Sequence, residues 1–174
     1  MQLSLCHINR VILPLLPLFF ACSCFAEDGS HWIYPNSTLH TKAGPEGLDK
    51  PLPNNELVDV RSTDDSVKKV VAFYANQCGI DAANWSFLES DFPSIKKSAI
   101  GYLAGSGKTP NGDVRVTVLH DLRPTLAHVS FTVVSETGCV DTISITRGES
   151  ETKTWVQIHR HTIAQPEKRI STAG

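Results

Sequence analysis

The chain has no block of like charge, no internal repeat and, beyond Cys24, no apolar run longer than a strand. Each absence excludes something. A nucleic-acid binder gathers Lys and Arg on one face, whereas here 16 basic and 18 acidic residues are interspersed at a formal net charge of −2. A solenoid or propeller repeats its hydrophobic pattern at a fixed period, and a membrane-spanning helix needs roughly 20 apolar residues in a row. Neither is found after Cys24. Cysteine is scarce where it could matter. Of five, Cys6, Cys22 and Cys24 precede Glu27, and the remaining two, Cys78 and Cys139, lack the CxxC spacing of a redox pair.

What is present first is an export pattern. Met1 to Arg10 holds one basic residue, Arg10, and no acid, and Val11 to Cys24 follows without a charge, rich in Leu and Phe. That is the basic and then apolar organisation of a signal peptide. The run is shorter than a bilayer-spanning helix, and Pro14 and Pro17 weaken it as an uncleaved one. Cys24-Phe25-Ala26 places small residues where a signal peptidase reads, so residues 1–26 read as a signal cut after Ala26. Processing as a lipoprotein at Cys22 or Cys24 is the alternative, although neither cysteine has the usual leucine three residues before it. The expected location is periplasmic or secreted.

With the signal removed, the remaining residues, roughly 148, suit one domain. Two cysteines in an exported chain read most simply as one disulfide, Cys78–Cys139. Closing a loop of about 60 residues would contribute roughly 4 kcal/mol in the chain-entropy model.

Residues 27–55 are rich in Gly, Pro, Asn and Ser, with Pro35, Pro45, Pro51 and Pro53 breaking any long element. They read as an irregular segment with Trp32 to Pro35 as a short anchored piece. A single domain follows over 56–163, opening with a short strand, Leu57 to Arg61. The clearest helix comes next, capped by Ser62 or Thr63 with Asp64 and Asp65 in its first turn, and ended by Gly79. Val67, Val70, Val71, Tyr74 and Cys78 share one face of it. Trp85, Phe87 and Leu88 read as core contacts, Ser98 to Ala104 as a further strand and Gly105 to Gly112 as a turn.

After that turn the period is two: Val114, Val116 and Val118; Ala127, Val129, Phe131 and Val133; Ile143 and Ile145; Thr154, Val156 and Ile158. The connections at Asp121 to Thr125, Glu136 to Gly138 and Gly148 to Glu151 suit antiparallel hairpins. The expected fold is therefore α+β, an antiparallel meander of about four strands plus a short N-terminal strand, packed on one main amphipathic helix. Residues 164–174 read as a flexible tail.

Tyr34-Pro35, and then Ser62-Thr63-x-Asp65-Ser66-Val67 leading to Val70-Val71-x-Phe73-Tyr74, resemble a group of small exported bacterial domains of unknown function. In these a Tyr-Pro precedes a strand and an "ST-x-DS-V-x-x-V-V-x-F-Y" helix precedes a sheet. The resemblance covers about residues 32–79 and implies neither an activity nor catalytic residues.

Motifs of chemistry fail one by one. Gly105-Ser106-Gly107-Lys108-Thr109 imitates the end of a phosphate-binding loop, but Tyr102 stands where the first glycine belongs and Pro110 blocks the helix that should follow. His120-Asp121 suggests a hydrolase, yet no serine has a GxSxG context. His159 and His161 project to one side of a strand and could share a metal such as zinc. His128 lies two strands away and the intervening face offers only Val140, Thr142, Ser144 and Thr146, so a third ligand is missing. Trp155 with Gln157 and His159 could form a binding patch on the outer face. No catalytic residue and no cofactor is expected. The sequence thus reads as a non-enzymatic exported module that contacts a protein or envelope component. The competing reading is a small ligand- or metal-binding protein, or an enzyme, using the face near Trp155, His159 and His161.

Overall fold

The computed structural model describes residues 30–43, 56–82, 85–86, 95–96 and 98–162. Residues 1–26, expected to be a signal and including Cys22 and Cys24, the expected tail 164–174, and Phe87 and Leu88 lie outside the described residues. After a 3-10 turn at Ser30–Trp32 come β1 (Thr38–Ala43), β2 (Glu56–Thr63), α1 (Val67–Gln77), β3 (Ala99–Thr109), β4 (Gly112–Arg123), β5 (Leu126–Ser135), β6 (Cys139–Gly148) and β7 (Thr154–Thr162). All seven strands join one antiparallel sheet in the order β1-β2-β7-β6-β5-β4-β3.

This corrects the expected four-strand meander on a main helix. The sheet is the framework, and the 11-residue helix is an insert on one of its faces. Three strands account for the difference. β1 crosses the segment that its prolines marked as irregular. β2 is not a lone short strand but an eight-residue partner of β7 over its whole length. β3 runs through Gly105 and Gly107 to Thr109, so the turn contains only Pro110 and Asn111, with Gly112 at φ 122°.

The later strands fall where alternation places them, because β-branched and aromatic side chains fit a pleated, half-buried surface. Val114, Val116 and Val118 on β4, Val129 and Phe131 on β5, Ile143 and Ile145 on β6, and Val156 and Ile158 on β7 line the inner face. Val67, Val70, Val71, Tyr74 and Cys78 of α1 close over them. Trp85 joins the same core, 6.2 Å between ring centroids from Phe131.

The helix begins later than its apparent cap. Ser62 and Thr63 end β2, and Ser66 is the N-cap, its hydroxyl accepting from the Lys69 N–H at 3.3 Å. Asp65 is free to serve the tertiary structure, accepting from the Tyr34 hydroxyl at 2.8 Å and from Lys69 Nζ at 2.7 Å. At the other end, Gly79 takes φ 66°, and the Lys108 N–H donates to the Cys78 carbonyl at 2.9 Å, which docks the helix on the end of β3. A Cβ at Gly79 would come within 2.9 Å of the Lys108 backbone, and one at Gly107 within 2.0 Å of the Cys78 carbonyl oxygen. Glycine at both positions is what allows helix and strand to touch.

Cys78 and Cys139, the expected crosslink partners, do not stand at disulfide distance and carry thiols in this structure. Cys78 is carried to β3 by the helix end, whereas Cys139 opens β6 beside Thr162 of β7, its Sγ 4.0 Å from the Thr162 hydroxyl. β4 and β5 lie between β3 and β6 in the sheet. The two thiols therefore differ in environment. Burial, with a smaller contribution from Asp141, pushes the Cys78 thiol up to about 12, and its side chain is sealed from solvent. Because the thiolate is the nucleophile, Cys139 should react with iodoacetamide in the native protein and Cys78 only after denaturation. Peptide mass mapping distinguishes this from a bridge, which would leave both unmodified until reduction.

Asp65 gives the fold an acid limb. Lys69, and then the Tyr34 hydroxyl, hold its carboxyl below the usual 3.8. The unfolded chain therefore binds this proton more readily, so the contribution of Asp65 is complete above about pH 3.8 and is lost as pH falls through the lower folded value. Denaturant midpoints measured against pH should fall less steeply in acid for Asp65→Asn than for the unaltered chain.

Candidate functional site

The inner face is not apolar throughout. In phase with Ile143 and Ile145 stands Asp141, and in phase with Val156 and Ile158 stands Arg160, its cross-strand partner. Arg160 Nε donates to Asp141 Oδ1 at 2.6 Å and Nη2 to Oδ2 at 3.0 Å, a two-pronged contact with side chains only 11% and 9% exposed. Trp32 Nε1 donates to the same Oδ2 at 2.9 Å, and the Tyr74 hydroxyl donates to the Trp32 carbonyl at 2.8 Å. On β2, Arg61 Nε lies 3.4 Å from Asp59, and Arg61 Nη1 donates to the carbonyl and hydroxyl of Ser37 at 3.3 and 3.0 Å. These charges tie the N-terminal segment, helix and sheet together. Sequence reasoning missed the cluster, although the inward phase of Asp141 and Arg160 was a readable signal.

The outer face holds the residues singled out from sequence. His159 and His161 lie side by side with ring centroids 5.6 Å apart, and His159 Nε2 is 3.8 Å from the Glu56 carboxylate. His128 is not part of this group, since its neighbour on β6 is Thr146 and the next along the row is Trp155. Among the described residues no group of three His, Cys, Asp or Glu side chains is arranged to hold a metal ion. Trp155 is half-buried against His40 of β1, 4.8 Å between ring centroids, and His40 in turn bonds Ser62 at 2.7 Å. Gln157 and His159 follow it in phase along β7, so the three residues share one face.

The other motifs dissolve into the sheet. Gly105 to Thr109 pair with Val116 to Gly112, leaving no helix start to cradle a phosphate. His120 and Asp121 are successive strand residues on opposite faces. His120 sits over Gly101, where burial lowers its pKa, while Asp121 is engaged by Arg123 at 2.7 and 2.6 Å. The Asp121 carboxylate is thus turned to the face away from the His120 ring and bonded to Arg123.

Ile33, Leu39 and Leu126 are exposed apolar residues elsewhere, but the three most exposed large apolar side chains among the described residues gather at the β3 edge. Ile100 is 68% exposed, Tyr102 71% and Leu119 51%. All three share the outer face, with Tyr102 directly opposite Leu119. Leu103, 39% exposed, stands on the other face of the same edge strand. Sequence reasoning read Ser98 to Ala104 as a strand but ended it at Gly105, whereas the strand runs on through Gly105 and Gly107 to Thr109.

The inner cluster should be structural. Removing one partner of a buried ion pair leaves the other charge uncompensated, at a cost of about 3–5 kcal/mol. Asp141→Ala should therefore lower unfolding stability by that order, and Trp32→Phe by about 1–3 kcal/mol through loss of one hydrogen bond to a charged acceptor. Urea titration monitored by circular dichroism checks both. Comparison with protein-family models, curated proteins and solved structures found no match for the chain.

Proposed function

We propose that the protein is an exported, non-enzymatic interaction module of the periplasm or cell envelope, which binds an extended polypeptide along β3. One observation carries this reading: an 11-residue edge strand, unbroken in register and free of proline, bordered by exposed Ile100, Tyr102 and Leu119. Such an edge is a template for strand addition, in which backbone bonds supply affinity and flanking side chains supply selectivity. The opposite edge is blunted. β1 has only six residues and carries a bulge between Leu39 and Thr41. The charged groups that could do chemistry are engaged elsewhere, Asp141 with Arg160 and Trp32, Asp121 with Arg123, and Asp65 with Lys69 and Tyr34. Export rests on the Arg10 and Val11 to Cys24 pattern.

Two measurements test the two halves. Intact mass of protein recovered from the expressing cell should correspond to a chain beginning at Glu27. A lipid-sized increment on Cys22 or Cys24 would replace the soluble form by a membrane-anchored one. A photoreactive phenylalanine analogue at Tyr102 should give polypeptide adducts in the cell, and the same analogue at Gln157 should not. The reverse result would overturn the β3 reading in favour of the face around Trp155, His159 and His161.

A further inference from the structure

The free edge of β3 has a symmetry that identifies its partner. Lys108 donates its N–H to the Cys78 carbonyl, away from β4. Backbone groups on a strand alternate in direction, so those of Ile100, Tyr102, Ala104 and Ser106 point to the same side as Lys108. Lys108 is already engaged by the helix end, and the other four have no backbone partner among the described residues. Residues Tyr102 to Ser106 are exposed without interruption.

These four form a set that maps onto itself. If a second β3 is laid antiparallel about a two-fold axis at Leu103, Ile100 of each copy meets Ser106 of the other, and Tyr102 meets Ala104. Every free donor and acceptor is used and none is left over. Side-chain sizes agree with this register, since each bulky residue on the outer face lies opposite a small one. On the inner face Gly101 lies opposite Gly105, and Leu103 lies opposite its own copy. Ala99 to Gly107 contains no charge, so no like charges are opposed. Shifting the axis by one residue, to Ala104, sets Ile100 against Lys108, whose N–H is already bonded.

The geometry points to a second copy of this chain as the polypeptide that adds to β3, giving a two-fold dimer with a continuous sheet across both copies. This rests on the reading of β3 as an interaction edge and names its occupant. It also explains why β3 lacks the proline, bulge or central charge that usually protect an edge.

The test uses the full chain. Light scattering over a concentration series should show a monomer–dimer equilibrium. Ala104→Lys, which sets a charge in the pairing edge while leaving the bonds to β4 in place, should shift the midpoint at least tenfold upward with an unchanged circular dichroism spectrum. Leu103 lies on the axis in a pair without hydrogen bonds, where opposed Cα atoms are about 4.5 Å apart, within disulfide reach. Mild oxidation should therefore link Leu103→Cys into a covalent dimer in high yield, while Gly105→Cys, facing Gly101 of the other copy, should not link. A monomer at every concentration, or equal linking at 103 and 105, would overturn the inference. If Tyr102 adducts then contained a different polypeptide, the interaction reading would stand and only the dimer would fall. Absence of any adduct would remove both.

Discussion

Asp141 stands where three parts of the chain meet. Its two carboxylate oxygens accept from Arg160 on the neighbouring strand and from the Trp32 indole of the N-terminal segment, and Trp32 in turn receives the Tyr74 hydroxyl of the helix. Desolvating two charges costs several kcal/mol each, and the cost is recovered only when geometry is good and every lone pair and proton has a partner. The Asp141–Arg160 contact meets that condition through its fork and the added indole bond. The Asp59–Arg61 contact meets it less well, at 3.4 Å and with Asp59 Oδ1 lacking a hydrogen-bond partner. The first pair thus fixes where the N-terminal segment and helix sit, and the second adds a looser tie to Ser37.

That anchoring determines which face of the sheet is spent and which edge is left. With Trp32, Tyr34 and α1 drawn onto the inner face, β1 can continue from the anchored segment and pair with β2. The chain then has to carry α1 from β2 to β3 at the opposite side of the sheet, and the helix end reaches only as far as Lys108. Beyond that point β3 has neither helix nor strand beside Tyr102 to Ser106 among the described residues.

Legibility in the sequence followed packing. Strands whose inner faces are filled by Val, Ile and Phe announced themselves by alternation, and so did the apolar stripe of α1, because burial selects residue type at every second or every third and fourth position. β3 was half hidden for the opposite reason. Its inner face carries Gly101, Gly105 and Gly107, the first making room for His120 and the last for the Cys78 carbonyl, so its second half looked like a turn. β1 was hidden by the prolines around it. The inner polar cluster broke the alternation at Asp59 and Arg61 on β2 and at Asp141 and Arg160, the latter two pairing across strands that no single-strand pattern connects. The proposed site lies in the region of weakest pattern, which is expected when residues are not committed to the chain's own core.

The two cysteines bear on the same economy. A disulfide stabilises chiefly by limiting the unfolded chain, whereas this fold closes its long-range contacts through a buried ion pair and a continuous antiparallel ladder. The helix is positioned by its glycine-dependent contact with Lys108 and by Tyr74 on Trp32, so Cys78 is placed as a small apolar side chain beneath α1. A crosslink that pulled the helix end off β3 would break the Lys108 bond that caps the pairing edge. Freed in that way, Lys108 would join the outward set of Ile100, Tyr102, Ala104 and Ser106, and the set would no longer map onto itself about Leu103.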